Sequence, residues 1–393
     1  MKILFLTSRL PYPPHRGDRV RTYNFLKRLS RDHEIHLLTF VESADETRHF
    51  AALEPYCRPE AVVLTRRASY VNMFTRSMSK LPFQVLYYRS PGMSRAVERR
   101  LRRHRFDLVY THLFRMAPFA PEPDGALRVL DLTDCISAEL AASIRHRPLP
   151  MRLPLKLEVG KIRRYETESA GRFHDVWTIS ESDREKILRM SPDAPVTVVP
   201  NGVDESLFEV SPARSAKVLG FLGNFGVPHN IDAARHLVLD IMPRILESVP
   251  DARLELIGQG HSPALRKLDG ANGTTVVGPT ESLGEALGRL TVFLSPLRFA
   301  AGVQNKILEA MASGLPVVTS SPGNRGLAAE PETEIVVRDG PEEFAAAAVS
   351  LLRDPVRAAR VGEKGRVSVR RRFSWDRVAA RVDDLLSSGP RER

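Results

Sequence analysis

The residues best suited to chemistry gather in one stretch: Leu294-Ser295-Pro296-Leu297-Arg298-Phe299-Ala300-Ala301-Gly302-Val303-Gln304-Asn305-Lys306-Ile307-Leu308-Glu309-Ala310-Met311-Ala312-Ser313-Gly314. Its pattern is strand, loop, helix and glycine stop. The loop brings Arg298 and Lys306 to a helix N-terminus, where the amides of residues 302–306 lack intrahelical acceptors and favour an anion. Two cations beside such amides suit a diphosphate. Glu309, one turn beyond Asn305, can accept both hydroxyls of a ribose diol. The plainer reading makes Lys306 and Glu309 solvated helix residues, and it is the one adopted for Met311, a core side chain.

Three further places carry polar groups where a strand gives way to a loop. Gly17 ends the proline-rich segment 8–18 just before a helix, where backbone can approach a ligand closely. His112 closes Leu108-Val109-Tyr110-Thr111, where an imidazole can bond a sugar hydroxyl or relay a proton near neutrality. Gly220-Phe221-Leu222-Gly223-Asn224-Phe225-Gly226 resembles a phosphate-cradling turn, and Asn230 is read as the N-cap of a helix over 231–239. The glycine spacing is not G-x-G-x-x-G and no acidic residue follows about 20 positions on, which disfavours a nicotinamide dehydrogenase. The Walker pattern is absent, which removes the P-loop hydrolases.

Short apolar runs alternating with amphipathic stretches must position these groups, and that alternation predicts parallel strands joined by helical crossovers. In the first half, strands are predicted at 2–7, 34–40, 61–64, 108–112, 128–132, 176–180 and 196–199, with helices at 18–29, 93–104, 155–173 and 181–190. After the break Pro200-Asn201-Gly202, a second series is predicted at 217–222, 253–257, 275–277, 292–295, 316–319 and 334–337. The fold class is therefore α/β, with two doubly wound parallel-sheet modules.

Composition agrees. The chain has 393 residues, 42% hydrophobic and 27% charged, which excludes disordered and fibrous classes. No apolar run approaches the roughly 18 residues of a membrane span, and the N-terminal run is too short for a signal-peptide core, so a cytoplasmic location is expected. Cys57 and Cys135 are far apart and predict neither a disulfide framework nor a thiolate metal site. The net charge of +11 is uneven: residues 1–200 hold 34 Lys and Arg against 23 Asp and Glu, whereas residues 201–393 hold 24 of each. Residues 51–105 alone hold 12 basic and 3 acidic side chains, interleaved with Tyr70, Phe74, Phe83, Tyr87 and Tyr88. Such a segment prefers an anionic partner, the alternative being a solvated basic face. No recognition motif for nucleic acid accompanies it, so nucleic acid is not the expected partner.

The stretch from Gly302 to Val318 resembles the donor-site signature of the family-4, group-1 glycosyltransferases, in a form similar to the exopolysaccharide sugar transferases of PEP-CTERM/EpsH systems. Val198-Val199-Pro200-Asn201-Gly202-Val203-Asp204 with Phe208 resembles that family's interdomain linker, and Phe373-Ser374-Trp375-Asp376-Arg377 its terminal helix. The resemblance implies the GT-B architecture of two Rossmann-like domains facing a cleft. An acceptor-binding domain would span 1–199, completed by a helix at about 376–393, and a nucleotide-sugar-binding domain would span 200–375. It further implies retaining transfer without a metal or other cofactor, from a nucleotide-sugar donor to a glycan or lipid-linked acceptor, with the departing diphosphate stabilised by positive charge. Carried over by position, Glu309 holds the ribose and Lys306 and Arg298 the diphosphate. The backbone of Gly302, Val303 and Gln304 holds the donor sugar beside Asn305, His112 bonds a sugar hydroxyl, and Gly17 lies by the diphosphate.

Two departures accompany it. The family's commonest pattern has a second glutamate eight positions before Glu309, where this chain has Ala301, which leaves the donor sugar open. An Arg and a Lys usual after the first strand of the second domain are replaced by Asn224 and Pro228-His229-Asn230, a role expected to pass to Arg298 and Lys306. The basic first half fits an anionic inner-membrane surface, so peripheral attachment is expected. A nucleotide-sugar epimerase and a non-catalytic nucleotide-sugar-binding protein are the alternatives.

Overall fold

The computed structural model describes the chain apart from residues 15–16, 122–124, 145–148, 214–215, 261–262, 301 and 388–393. Ala301 therefore lies outside the described residues. The chain divides into two compact units, one of Met1–Pro200 with Ala379–Arg393 and one of Asn201–Val378.

The first unit is built on a seven-stranded parallel sheet of β1 (Lys2–Thr7), β2 (Glu34–Val41), β3 (Arg58–Val63), β4 (Leu108–His112), β5 (Leu127–Thr133), β6 (Asp175–Thr178) and β7 (Val196–Val198). The order is β3-β2-β1-β4-β5-β6-β7. Strands covered by helices on both faces must be apolar along their length, and β4 is buried at all five positions. The chain starts in the middle of the sheet and winds outward both ways, so the switch falls between β1 and β4. Their carboxyl ends open a crevice there.

A charged network sits inside this unit. Arg21, on the helix Gly17–Leu29, donates from Nε to Asp131 Oδ2 at 2.6 Å, both side chains being fully buried. Tyr110 Oη donates to the same oxygen at 2.6 Å, and the Thr133 amide donates to Asp131 Oδ1 at 3.1 Å. The guanidinium lies 4.8 Å from the Phe25 ring centroid and donates to the Pro200 carbonyl at 3.2 Å. The Arg21 and Asp131 pair thereby ties a helix to two strands and, through Arg21, to the end of the unit's main segment.

The second unit holds a six-stranded parallel sheet of β8 (Val218–Leu222), β9 (Arg253–Ile257), β10 (Thr274–Gly278), β11 (Val292–Ser295), β12 (Val317–Thr319) and β13 (Val336–Val337), ordered β10-β9-β8-β11-β12-β13. Its switch lies between β8 and β11, which pair through Val292 with Leu219 and Phe293 with Gly220. Both sheets are doubly wound, as the alternation predicts.

Three differences from the sequence reading have local causes. β3 begins at Arg58, not 61, because its residues pair with β2 from His36 onward. The segment 66–89 folds into helices Arg66–Thr75 and Phe83–Tyr88 that the sequence pattern did not reveal. The first buries only Ser69, so it has no apolar stripe of helical period facing a core. Gly220 lies within β8, not in a turn: a Cβ there would come within 2.2 Å of Leu290, so it serves packing.

Candidate functional site

Because β8 and β11 are neighbours, the loops that follow them lie side by side at the switch of the second unit. The loop after β8 is a fixed turn. The Gly226 amide donates to Asn224 Oδ1 at 3.0 Å, and Asn230 Nδ2 donates to the Asn224 carbonyl at 2.9 Å. The Asn224 side chain thus holds its own turn. The helix that follows runs Pro228–His236 and is entered at Val227, which corrects the reading of Asn230 as an N-cap. Proline fits the first helical turn, and it moves the start forward so that Asn230 falls inside. Its buried side chain is then free to look across at the next loop.

Across from it is the helix Asn305–Ala312, which follows β11. Lys306 Nζ donates to Asn230 Oδ1 and lies 5.3 Å from the Phe221 ring centroid. Burial pulls this ammonium down to about 8, with Glu309 acting the other way. Glu309 is held up at about 7 by burial, against the pull of Lys306. His229 is lowered to about 4 by burial and the Lys306 charge, and so is neutral at pH 7. A cation and a carboxyl group, both desolvated, stand one turn apart on the first eight residues after an irregular loop. The Gln304 carbonyl caps the helix by accepting from Ile307 and Leu308, while Asn305 is exposed.

The loop before this helix is set by close backbone approach. Gly302 has φ 63°, the left-handed region, and a Cβ on Gly326 would fall 2.2 Å from the Gly302 carbonyl oxygen. Val303 follows, half-buried.

Arg298 is placed differently from the expectation. Its Nε donates to Asp232 Oδ2 at 2.9 Å and a second nitrogen reaches Oδ1, so the guanidinium is exposed and forked onto a carboxylate. Asn230 and Asp232 are two apart on one helix and do not share a face. The two cations are therefore held by separate partners, and of the two Lys306 is the one in electrostatic contact with Glu309.

In the first unit, His112 closes β4 at 3% exposure, stacked 6.4 Å from Tyr110. Its Nε2 is buried with no hydrogen-bond partner among the described residues. Burial lowers it to about 4, outweighing Asp131, so the expected proton relay near neutrality is corrected: the ring stays neutral there. Gly17 is the first residue of its helix, and Asp18 beside it accepts from Arg9 at 3.0 Å. Cys57 and Cys135 are buried and free.

The sequence reading did not single out the Asn230 amide, His229 or Arg115 as site residues. Pro228 was the signal for the first two, since it sets the helix start.

Residues 216–354 match the family described as glycosyl transferases group 1. That match spans about a third of the chain and likens its second unit to the group 1 glycosyltransferases. A phosphatidyl-myo-inositol mannosyltransferase of Mycolicibacterium smegmatis is 25% identical over 88% of this chain and 87% of its own length. A GDP-mannose-dependent monoacylated alpha-(1-6)-phosphatidylinositol monomannoside mannosyltransferase of Corynebacterium glutamicum is 29% identical over 39% of the chain, and the match spans only 44% of that relative. Among solved structures, Anabaena Alr3699/HepE in complex with UDP superposes with a TM-score of 0.67 at 16% identity, over 99% of this chain and 100% of that one. Sucrose-phosphate synthase of Thermosynechococcus elongatus gives 0.69 at 16% identity, over 99% of both. These likenesses show the GT-B fold. They favour neither an epimerase nor a non-catalytic binding protein.

Proposed function

We propose that this glycosyltransferase moves a sugar from a nucleotide-diphosphate donor to a glycan or lipid-linked acceptor in bacterial glycoconjugate assembly, an exopolysaccharide being the product its signature resembles. Transfer retains the anomeric configuration and uses no metal or other cofactor. The observation that carries this reading is the Lys306 and Glu309 pair on the helix Asn305–Ala312, at the switch of a doubly wound sheet. The Lys306 ammonium meets the diphosphate, whose charge grows as the glycosidic bond breaks, and a desolvated cation is most effective at such a place. The first-turn amides of Asn305 and Lys306 add donors to the same anion. Glu309 as carboxylate accepts from the ribose diol. The Gly302–Gln304 backbone lies toward the donor sugar. Arg298 is a positioning group through Asp232. Neutral His112 offers its unpartnered Nε2 to a sugar hydroxyl, with Gly17 at the start of the helix Gly17–Leu29.

Relatives named as mannosyltransferases of phosphatidylinositol derivatives support a lipid-linked acceptor for this chain. The first unit has a surface suited to that. Phe74 is 84% and Met78 97% exposed, Tyr70 and Val71 are exposed beside them, and Arg67, Arg76 and Lys80 interleave. The helix Leu149–Ala170 packs next to it through Lys161 Nζ, which donates to the Ser77 carbonyl at 2.9 Å, and adds exposed Leu149, Leu153 and Leu157. Apolar side chains among cations fit peripheral attachment to the anionic cytoplasmic face of the inner membrane. No helix among the described residues is long and apolar enough to cross a membrane.

The test is release of nucleoside diphosphate from GDP-mannose and from UDP-glucose, with and without a bacterial membrane extract as acceptor. Acceptor-dependent release that survives EDTA, giving a product of unchanged anomeric configuration by NMR, is expected. Acceptor-independent release would point to the epimerase, and loss with EDTA would overturn metal independence.

A further inference from the structure

The first unit contains a cavity of about 430 Å³ at the carboxyl ends of β1, β2 and β4. Its wall carries an unusual charge arrangement. Arg115, in the turn after β4, donates from Nε to Ser8 Oγ at 3.0 Å and from Nη1 to Gln84 Oε1 at 2.9 Å, and its guanidinium lies 5.2 Å from the Tyr88 ring centroid. Both acceptors are neutral. Among the described residues Arg115 has no ion pair; burial and the repulsion of Arg9 lower its pKa, while Tyr88 and the nearby Asp18 carboxylate act the other way.

Two carboxylates, Glu42 and Glu46, share the wall with these cations, and none of the nearby acids forms an ion pair with Arg115. Asp18 pairs with Arg9 at 3.0 Å, and Glu42 pairs with Arg66 while Glu46 accepts from the Glu42 amide at 2.9 Å. A second guanidinium on the wall, Arg19, has a buried Nε with no hydrogen-bond partner among the described residues. A desolvated cation held only by neutral acceptors is costly unless something anionic completes it. The remaining wall includes the aromatic side chains Phe40, Tyr87 and Tyr88, of which Tyr87 is the more accessible.

We infer that this cavity binds an oxyanion on the acceptor, a phosphate or a carboxylate attached to a sugar, with Arg115 and Arg19 as its ligands and the aromatic wall against the sugar. Guanidinium is the side chain that matches both oxyanions with paired donors. The inference rests on the reading of the first unit as the acceptor side, and it narrows that acceptor to an anionic saccharide.

The experiment is calorimetric titration of the full chain, in saturating UDP, with glucose 1-phosphate, glucuronic acid and glucose. At least about 10-fold tighter binding of one or both anionic sugars than of glucose is expected, as charge-assisted hydrogen bonds imply. Preference for the first alone identifies a phosphate and for the second alone a carboxylate. Arg115→Gln should abolish the preference, and Arg115→Lys should retain part of it. Equal binding of all three sugars by the unaltered chain would overturn the inference without any variant, as would a preference that survives Arg115→Gln. Equal weakening of sugar-phosphate binding by Lys306→Ala would place it at the donor helix and overturn the inference too. UDP binding, read separately in the same titrations, reports on the donor reading: its absence would sink that reading and leave the oxyanion result to stand or fall alone.

Discussion

Lys306 donates to the side-chain oxygen of Asn230, linking the loop after β11 to the helix after β8. An amide is a neutral acceptor, so it orients the ammonium without cancelling its charge, as a carboxylate would. The contrast lies two residues away, where Asp232 takes up Arg298. Lys306→Ala is expected to lower kcat by about 100-fold or more, the scale of losing one preorganised electrostatic contact to the transition state. Asn230→Ala leaves the charge but not its aim and should cost roughly 10-fold. Arg298→Gln should change kcat much less than either. Steady-state kinetics of the three variants checks the order, and a loss at Arg298 equal to that at Lys306 would contradict it.

Lys306 and Glu309 together set a pH window. Glu309, held up at about 7, is a carboxylate only above that pH, and Lys306, lowered to about 8, is a cation only below it. The kcat/KM for the donor should therefore rise through about pH 7 and fall through about pH 8. Lys306→Arg keeps its charge and should remove the alkaline limb, while Glu309→Gln should remove the acid limb. A flat profile from pH 6 to 9 in the unaltered enzyme would contradict the assignment.

Arg21 and Asp131 make the most consequential structural pair of the first unit, because each is the other's charge partner at full burial. Asp131→Ala removes the buried charge partner of Arg21 and should destabilise that unit by about 3–5 kcal/mol. The double variant Arg21→Met, Asp131→Leu removes both charges and should cost less than Asp131→Ala alone. Urea unfolding of the three proteins in a Trp375→Phe background, followed by Trp177 fluorescence, measures the difference.

Surface attachment is separable from catalysis. Flotation with vesicles containing anionic lipid is expected at low salt and should weaken as salt rises, since screening acts on Arg67, Arg76, Lys80 and Lys156. Phe74→Ser with Met78→Ser should reduce it several-fold with no change in stability, both side chains being almost wholly exposed. Equal flotation with neutral and anionic vesicles would contradict the electrostatic part.

The strands were legible because buried parallel strands are unbroken apolar runs, and β1, β4, β9 and β11 begin and end where the sequence puts them. The helix carrying Lys306 and Glu309 was legible from its glycine stop and apolar period. Long-range partners were not. Nothing in a one-dimensional pattern says that Asp232, 66 residues from Arg298, will take its guanidinium, or that Asn230, 76 residues from Lys306, will receive its ammonium. Burial was equally hidden: His112 at a strand end looks like a titrating group until its depth is known. The helix Arg66–Thr75 escaped because its apolar side chains face outward, against the rule used to find helices.

The most direct test of the central claim is calorimetric titration with UDP, GDP and ADP of the unaltered chain, Lys306→Ala and Glu309→Ala at pH 7.5, a value inside the roughly pH 7–8 window. Selective binding of one nucleoside diphosphate, weakened at least about 10-fold in both variants, is the predicted result. Absence of binding by all three, or binding indifferent to both substitutions, would contradict the placement of the donor at the helix Asn305–Ala312.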